Sequence, residues 1–160
     1  MYKVNEKIIY KKDVCKIRDI KEDKNIKYYI LTPIDDESLI IKVPIDNKLM
    51  RNLISKEEIE KIIDEIPNIK PLDNIDDRFI ENTYKELLNG GSYEELITII
   101  KMTYIRNNER QKQNKKISEK DDKYFNLAEK YLYNEFGTVL NMTFDETKEY
   151  ITKKVEANLA

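Results

Sequence analysis

The chain has 160 residues, a formal net charge of −2, no histidine and a single cysteine. That length holds one or two small domains. The lack of histidine removes the commonest general base and metal ligand, and one cysteine excludes both a disulfide framework and a structural zinc site. No apolar run approaches the roughly 20 residues of a membrane span. The start, MYKVNEKIIYKK, lacks the apolar core of a leader peptide, so the expectation is a soluble, cytoplasmic protein of a reducing compartment with no membrane partner.

In chain order, residues 4–10 alternate as a first strand, with Val4, Ile8 and Tyr10 on one face. Lys11-Lys12-Asp13 reads as a turn. Residues 14–20 form a second strand, with Cys15, Ile17 and Asp19 on one face and Cys15 as a core residue. Residues 21–25 read as a charged hairpin loop, and residues 27–32 as a third strand ended by Pro33. After an Asp35-Asp36-Glu37 turn, Leu39, Ile41 and Val43 alternate with Ile40 and Lys42 in a fourth strand. Four short strands with tight links predict a small, strongly bent sheet or barrel.

At Val43-Pro44 the pattern changes to helical spacing. Ser55 with Glu58, Ser92 with Glu95, and Thr143 with Glu146 fit capping boxes, and Ser118 with Asp121 a weaker version. They predict helix starts near 56, 93, 119 and 144. A further helix is expected over residues 76–88, stopped by Asn89-Gly90-Gly91 with glycine as a left-handed C-cap. Pro67 and Pro71 bracket a break before it. Two stripes, Leu96, Ile97, Ile100 and Tyr104, then Phe125, Ala128, Leu132, Phe136 and Val139, read as bundle core. Residues 107–116, nearly all polar and basic, read as a mobile loop or frayed helix end. The fold class is thus α+β: an N-terminal bent sheet or barrel (1–46), a helical linker region (47–74) and an all-helical bundle (75–160).

The charge is uneven. Residues 51–100 carry six basic residues against twelve acids, and residues 101–120 carry seven (among them Arg106, Arg110, Lys112, Lys115 and Lys116) against two. A basic block in an acidic chain is either a nucleic-acid footprint or a solvated helix end. There is no glycine-rich phosphate loop. Paired acids such as Asp35-Asp36 and Asp76-Asp77 fall at turns and helix starts, where the helix dipole favours them. A carboxylate hydrolase would need two clustered acids in a pocket, to which the sequence offers no pointer. Neither an enzyme nor a cofactor is expected.

The ordered set Val4-Asn5-Glu6-Lys7-Ile8-Ile9-Tyr10, Val14-Cys15-Lys16-Ile17, Tyr28-Tyr29-Ile30-Leu31 and Ile40-Ile41-Lys42-Val43-Pro44 resembles the CarD/CdnL family of bacterial transcription regulators. The helix from Arg78 to its Asn89-Gly90-Gly91 stop, the helix through Tyr93-Glu94-Glu95-Leu96, and Leu127-Ala128-Glu129-Lys130 follow the family's second half in layout. The resemblance implies a Tudor-like N-terminal barrel, shared with the transcription-repair coupling factor. It implies binding of this barrel to the RNA polymerase β subunit. The helical domain would contact promoter DNA at the upstream edge of the bubble and so modulate open-complex stability.

Carried over by residue, the polymerase contact falls on Lys42 in the last barrel strand, with Ile41, Val43 and Pro44 around it. The family usually has arginine there, and lysine lacks its bidentate fork. An exposed strand edge would add backbone pairing with the partner. The family's DNA wedge is a tryptophan, which this chain lacks; Ile75, in Asp73-Asn74-Ile75-Asp76-Asp77, is the nearest apolar counterpart. Arg78 and Lys85, expected on one helix, and Arg106, Arg110, Lys115 and Lys116 would contact phosphates. An acidic chain with one basic block is expected to bind DNA weakly by itself. No small-molecule substrate is implied. The alternative is a protein-interaction adaptor without direct DNA contact.

Overall fold

The computed structural model describes residues 1–159, and the side chains of residues 1–157. The chain folds into two compact units, one ending at Ile54 and one beginning at Ser55. The first is a five-stranded antiparallel sheet and the second is helical, so the α+β class holds. The strands are β1 (Lys7–Tyr10), β2 (Asp13–Asp23), β3 (Ile26–Pro33), β4 (Ile41–Pro44) and β5 (Met50–Arg51), in the order β4-β3-β2-β1-β5.

Several strand boundaries differ from expectation. The first strand begins at Lys7, because Asn5 takes a left-handed φ of 74° and leaves Val4 exposed. The expected loop at 21–25 shrinks to Lys24-Asn25. Both have positive φ, the geometry of a tight hairpin turn whose twist matches the flanking strands. A register shift between Ile17 and Asp19 takes Asp19 off the core face that Cys15 and Ile17 share. The fourth strand starts at Ile41 rather than Leu39. The short β5 was not anticipated; it lies in the stretch read as a helical linker and pairs with Ile9 and Tyr10.

The connection from β4 to β5 requires the sheet to bend. These strands lie on opposite edges, about 19 Å apart across a flat five-stranded sheet. Asn47 closes the intervening loop on both sides. Its amide and Nδ2 donate to the Pro44 carbonyl, and its Oδ1 accepts from the Leu49 and Met50 amides. So folded, the loop reaches about 17 Å at most. The sheet curls, and its concave side holds Ile8, Cys15, Ile17, Tyr29, Leu31 and Val43. The Tyr29 hydroxyl accepts from the Tyr2 amide at 3.0 Å, drawing the N-terminus over the core.

The helices are α1 (Lys56–Glu65), α2 (Ile80–Gly90), α3 (Tyr93–Lys112), α4 (Glu119–Leu140) and α5 (Phe144–Leu159), with a 3₁₀ turn at Ile66–Asn68. Ser55, Ser92, Ser118 and Thr143 each accept a hydrogen bond from the amide three residues on, at 3.1–3.2 Å. Glu95 and Glu146 answer their cap amides in reciprocal boxes. Gly91 ends α2 at φ 68°, as expected. Gly137, which drew no notice in the sequence, lies at a close approach. A Cβ there would sit 2.7 Å from Thr147 Oγ1 and 2.9 Å from the Met142 carbonyl.

The start of α2 and the end of α3 depart from the reading. Asp76 does not open a helix; it anchors a turn that delays α2 to Ile80. Much of the basic segment at 107–116 is not a loop, because α3 continues to Lys112. The two apolar stripes are buried as expected at Leu96, Ile97, Ile100, Ala128, Leu132 and Phe136, with Tyr104, Phe125 and Val139 half-buried.

Burial on α3 extends around the helix from Leu96 to Thr103 and includes Lys101, which is 1% exposed. Its ammonium donates to the carbonyls of Ile66 and, at 2.7 Å, Ile69, so it ties the 3₁₀ turn to α3. Burial holds this ammonium below the ordinary lysine range.

Glu129, 3% exposed on α4, has Lys148 at 3.4 Å. Burial raises its carboxyl above the ordinary value of 4.5, with Lys148 offsetting part of the shift. A folded-state value above the unfolded one favours the protonated fold, so stability from this group falls as pH rises through the raised value. Glu129→Gln should therefore be more stable than the wild type at neutral pH, and the advantage should vanish below 4.5. Urea denaturation at the two pH values checks this; a constant difference would contradict it.

Candidate functional site

Two surfaces collect the residues singled out in the sequence. On the sheet, Lys42 projects from β4, an edge strand. Its ammonium lies 3.5 Å from Asp23 and 4.2 Å from the centre of the Tyr28 ring, so it is exposed but oriented. Val43 faces the core at 5% exposure and Ile41 is half-buried, so these two support the strand rather than present themselves to a partner.

The hydrogen-bond phase of β4 decides which backbone groups are free. Ile45 donates to Lys27 O, and the β3–β4 register runs Tyr29↔Val43 and Leu31↔Ile41. Alternate residues therefore bond to β3, while Lys42, Pro44 and the preceding Ile40 turn their backbone groups outward. Pro44 falls at an outward position, where its missing N–H leaves no ladder bond unmade. Ile40 is 69% exposed and Leu39 48%. The edge thus offers Ile40 and Lys42 for pairing, beside an apolar pair and a cation.

In the helical unit, the structure separates the expected DNA contacts. Arg78 does not lie on a helix; it sits in the turn before α2. Asp76 Oδ1 accepts from its amide at 2.9 Å, and the two side chains form an ion pair at 3.1 Å. The Arg78 side chain, hydrogen-bonded to Asp76, holds that carboxyl below its ordinary range. Ile75 is half-buried. With Ile80, Met102 and Ile105 it lines a cavity of about 160 Å³, the position of a staple onto its own unit rather than of a wedge. Phe79 is instead 55% exposed, with the Arg78 guanidinium 5.5 Å from its ring centre. Phe79 falls one position off the Ile80–Tyr84 face that α2 buries, an offset legible in the sequence.

Lys85 is exposed and pairs with Glu81 at 3.7 Å. Arg106 faces inward: its Nε donates to Asp121 Oδ1 and Oδ2 at 3.0 and 3.2 Å, and its Nη1 lies 2.9 Å from Asp77. Asp121 has no exposure and also accepts from the Tyr84 hydroxyl at 2.7 Å. Ser118 caps α4 through the Asp121 amide, but the Asp121 carboxylate turns to Arg106 and Tyr84 rather than completing a box. Burial opposes the Arg106 charge, yet Asp121 and Asp77 outweigh it and hold the guanidinium above its usual range. Burial first, and the bond to Asp121 second, push the Tyr84 phenol well up.

Arg110 Nε donates to the Lys116 carbonyl at 2.6 Å and so closes the turn after α3. Lys112 pairs with Glu109. Lys115 and Lys116 are exposed in that turn. The basic block is therefore in large part structural, with Arg106 and Arg110 occupied by partners within the unit.

Among the described residues, no group of three or more histidine, cysteine, aspartate or glutamate side chains could hold a metal ion, and no helix is long and apolar enough to cross a membrane. No family model and no curated protein matches this chain.

The different roles of the cations have a direct consequence for stability. Arg106→Ala leaves a buried carboxylate without its charged partner and should destabilise the protein by about 3 kcal/mol. Arg78→Ala, in an exposed turn, should stay within about 0.5 kcal/mol of the wild type. Chemical denaturation of the two variants side by side tests the assignment; equal losses would refute it.

Proposed function

We propose that this protein is a transcription accessory factor of the CarD/CdnL type, which binds the RNA polymerase β subunit through its N-terminal sheet and promoter DNA through its helical unit. The observation that carries the reading is the outward edge of β4. It is short, bounded by Pro44, and presents Lys42 with an oriented ammonium next to exposed Leu39 and Ile40. Such an edge can take up a partner strand by backbone pairing, with side chains supplying specificity.

For the DNA contact, support comes from the turn before α2. An exposed aromatic ring with a cation beside it has the two properties a bubble-edge contact needs. A flat apolar face can cover an unstacked base step, and a positive charge can meet the adjacent phosphate. In this reading Phe79, rather than Ile75, takes the part of the family's tryptophan. Of the cations expected to meet phosphates, Arg78, Lys85, Lys115 and Lys116 are exposed, Arg78 and Lys85 each beside a surface acid. An acidic chain with acids beside its exposed cations would bind DNA weakly by itself, so the two contacts would work through their shared tether.

A second reading, an adaptor whose sheet binds polymerase or another partner while its helices bind protein and no DNA, is favoured by the internal use of Arg106 and Arg110. Where that partner is polymerase, the two readings share the polymerase contact and differ at Phe79.

Calorimetry of the purified protein with the promoter-side lobe of the β subunit tests the shared part. Lys42→Glu should weaken binding by about tenfold or more, by placing like charge beside Asp23 and removing the cation. No binding by the wild type would end the transcription-factor reading and leave an adaptor for another partner. For the DNA contact, Phe79→Ala should shorten the lifetime of the polymerase open complex while leaving lobe affinity unchanged. The log–log salt slope of polymerase-dependent DNA retention should be about −2 to −4, as expected for two to four phosphate contacts. A lifetime unaffected by Phe79→Ala would favour the adaptor.

A further inference from the structure

Asp77 sits just before α2 and beside the proposed DNA-contacting residues, where its charge would repel phosphates. It is 80% exposed and adjoins Arg78, so its charge would face the phosphates that Arg78 is meant to meet. Removing that charge should, by electrostatics alone, tighten DNA binding. What Asp77 does in the structure is bind Arg106 Nη1 at 2.9 Å. Arg106 in turn bonds both oxygens of buried Asp121, which accepts from Tyr84 on α2. A chain of charge-assisted bonds therefore runs from the interior of the helical unit to the turn carrying Arg78 and Phe79. The turn has local closure of its own, since the Phe79 amide donates to the Asp76 carbonyl, but Phe79 caps α2 without any side-chain hydrogen bond.

We propose that Arg106 is a positioning residue: through Asp77 it holds the 76–79 turn so that Arg78 and Phe79 are presented to DNA, and it makes no phosphate contact itself. The inference rests on the reading of this turn as the DNA-contacting element. Its force lies in a reversal of sign. If Asp77 were only a stray surface charge, its removal would improve DNA binding. If it is the outer end of a strut, its removal loosens the presented turn and weakens binding despite the more favourable charge.

The test compares Asp77→Ala with Asp73→Ala in the full-length chain. Asp73 is an exposed acid of the same loop that makes none of the bonds of the strut, so its removal changes the charge equally while leaving those bonds in place. Amide hydrogen exchange over residues 76–80 of the free protein should quicken by about 1.4- to fivefold in Asp77→Ala, the range expected for loss of one exposed ion pair, and stay unchanged in Asp73→Ala. Affinity for a forked promoter fragment, measured with polymerase present, should rise in Asp73→Ala and fall in Asp77→Ala. Asp77→Glu, which keeps the charge and can rebuild the pair, should restore both readouts. Unchanged exchange in Asp77→Ala, or tighter DNA binding in both alanine variants, overturns the proposal. If the wild type itself retains no forked DNA with polymerase, presentation to DNA falls with the functional reading, and the exchange result alone decides whether the strut holds the turn.

Discussion

A carboxylate with no solvent exposure must be surrounded by donors, and Asp121 is the carboxylate on which the helical unit is organised. Its three side-chain bonds come from two helices: the Tyr84 hydroxyl on α2 and the Arg106 Nε on α3, the latter reaching both oxygens. Its own amide, at the start of α4, donates to the Ser118 cap. One residue thus fixes the mutual placement of three helices, and through Arg106 it also reaches the turn ahead of α2. Breaking such a pair leaves a buried charge, which is far more destabilising than losing a surface ion pair. Lys101 does comparable work on another side of α3. Its ammonium satisfies two carbonyls near the 3₁₀ turn, where a proline interrupts regular helix bonding.

Those buried ions account for where the sequence could be read and where it could not. Four helix starts were legible to the residue because a cap is local: Ser55, Ser92, Ser118 and Thr143 act on amides three residues away. The start of α2, which has no side-chain cap, was not. The exit of α2 was equally legible, since Gly91 is needed for its left-handed φ. The roles of charged side chains were not. In sequence, Arg106 and Lys116 are alike, two cations in one basic stretch. Only the fold brings Asp121 next to the first and leaves the second exposed. The box expected at Ser118 and Asp121 failed for the same reason: once Tyr84 and Arg106 were near, the carboxylate made stronger bonds inward.

In the sheet, the alternation identified most of the core, including Cys15, but not the register details. A two-residue hairpin and a longer charged loop have the same composition at 21–25; the difference is the left-handed φ that Lys24 and Asn25 adopt. Likewise β5 is too short to show periodicity. It exists because Asn47 folds the preceding loop and the curled sheet brings β1 within reach. Proline at 44 was legible as a boundary, but its meaning came only with the pairing phase. It stands on the outward side of an edge strand, which limits the free edge to Ile40 and Lys42.

Limited edges and spent cations bear together on how the protein could act. An edge with two outward residues gives specificity without inviting indiscriminate strand addition, since short edges and proline both disfavour it. A helical unit whose inner arginines are committed to Asp121 and the turn after α3 presents fewer cations to phosphates than its sequence suggests. Under the proposed function each surface would bind weakly alone and act only where its target is already held nearby. An isolated promoter duplex would then offer one target, whereas polymerase at an opening promoter would offer both, with an unstacked step available to an aromatic ring such as Phe79. In such a scheme the selectivity comes from the coincidence of two targets rather than from base reading. The inward commitment of Lys101, Arg106 and Arg110 would then contribute to selectivity too, because it leaves four of the seven basic residues over 101–120 exposed, and fewer exposed cations mean weaker binding to duplex DNA alone.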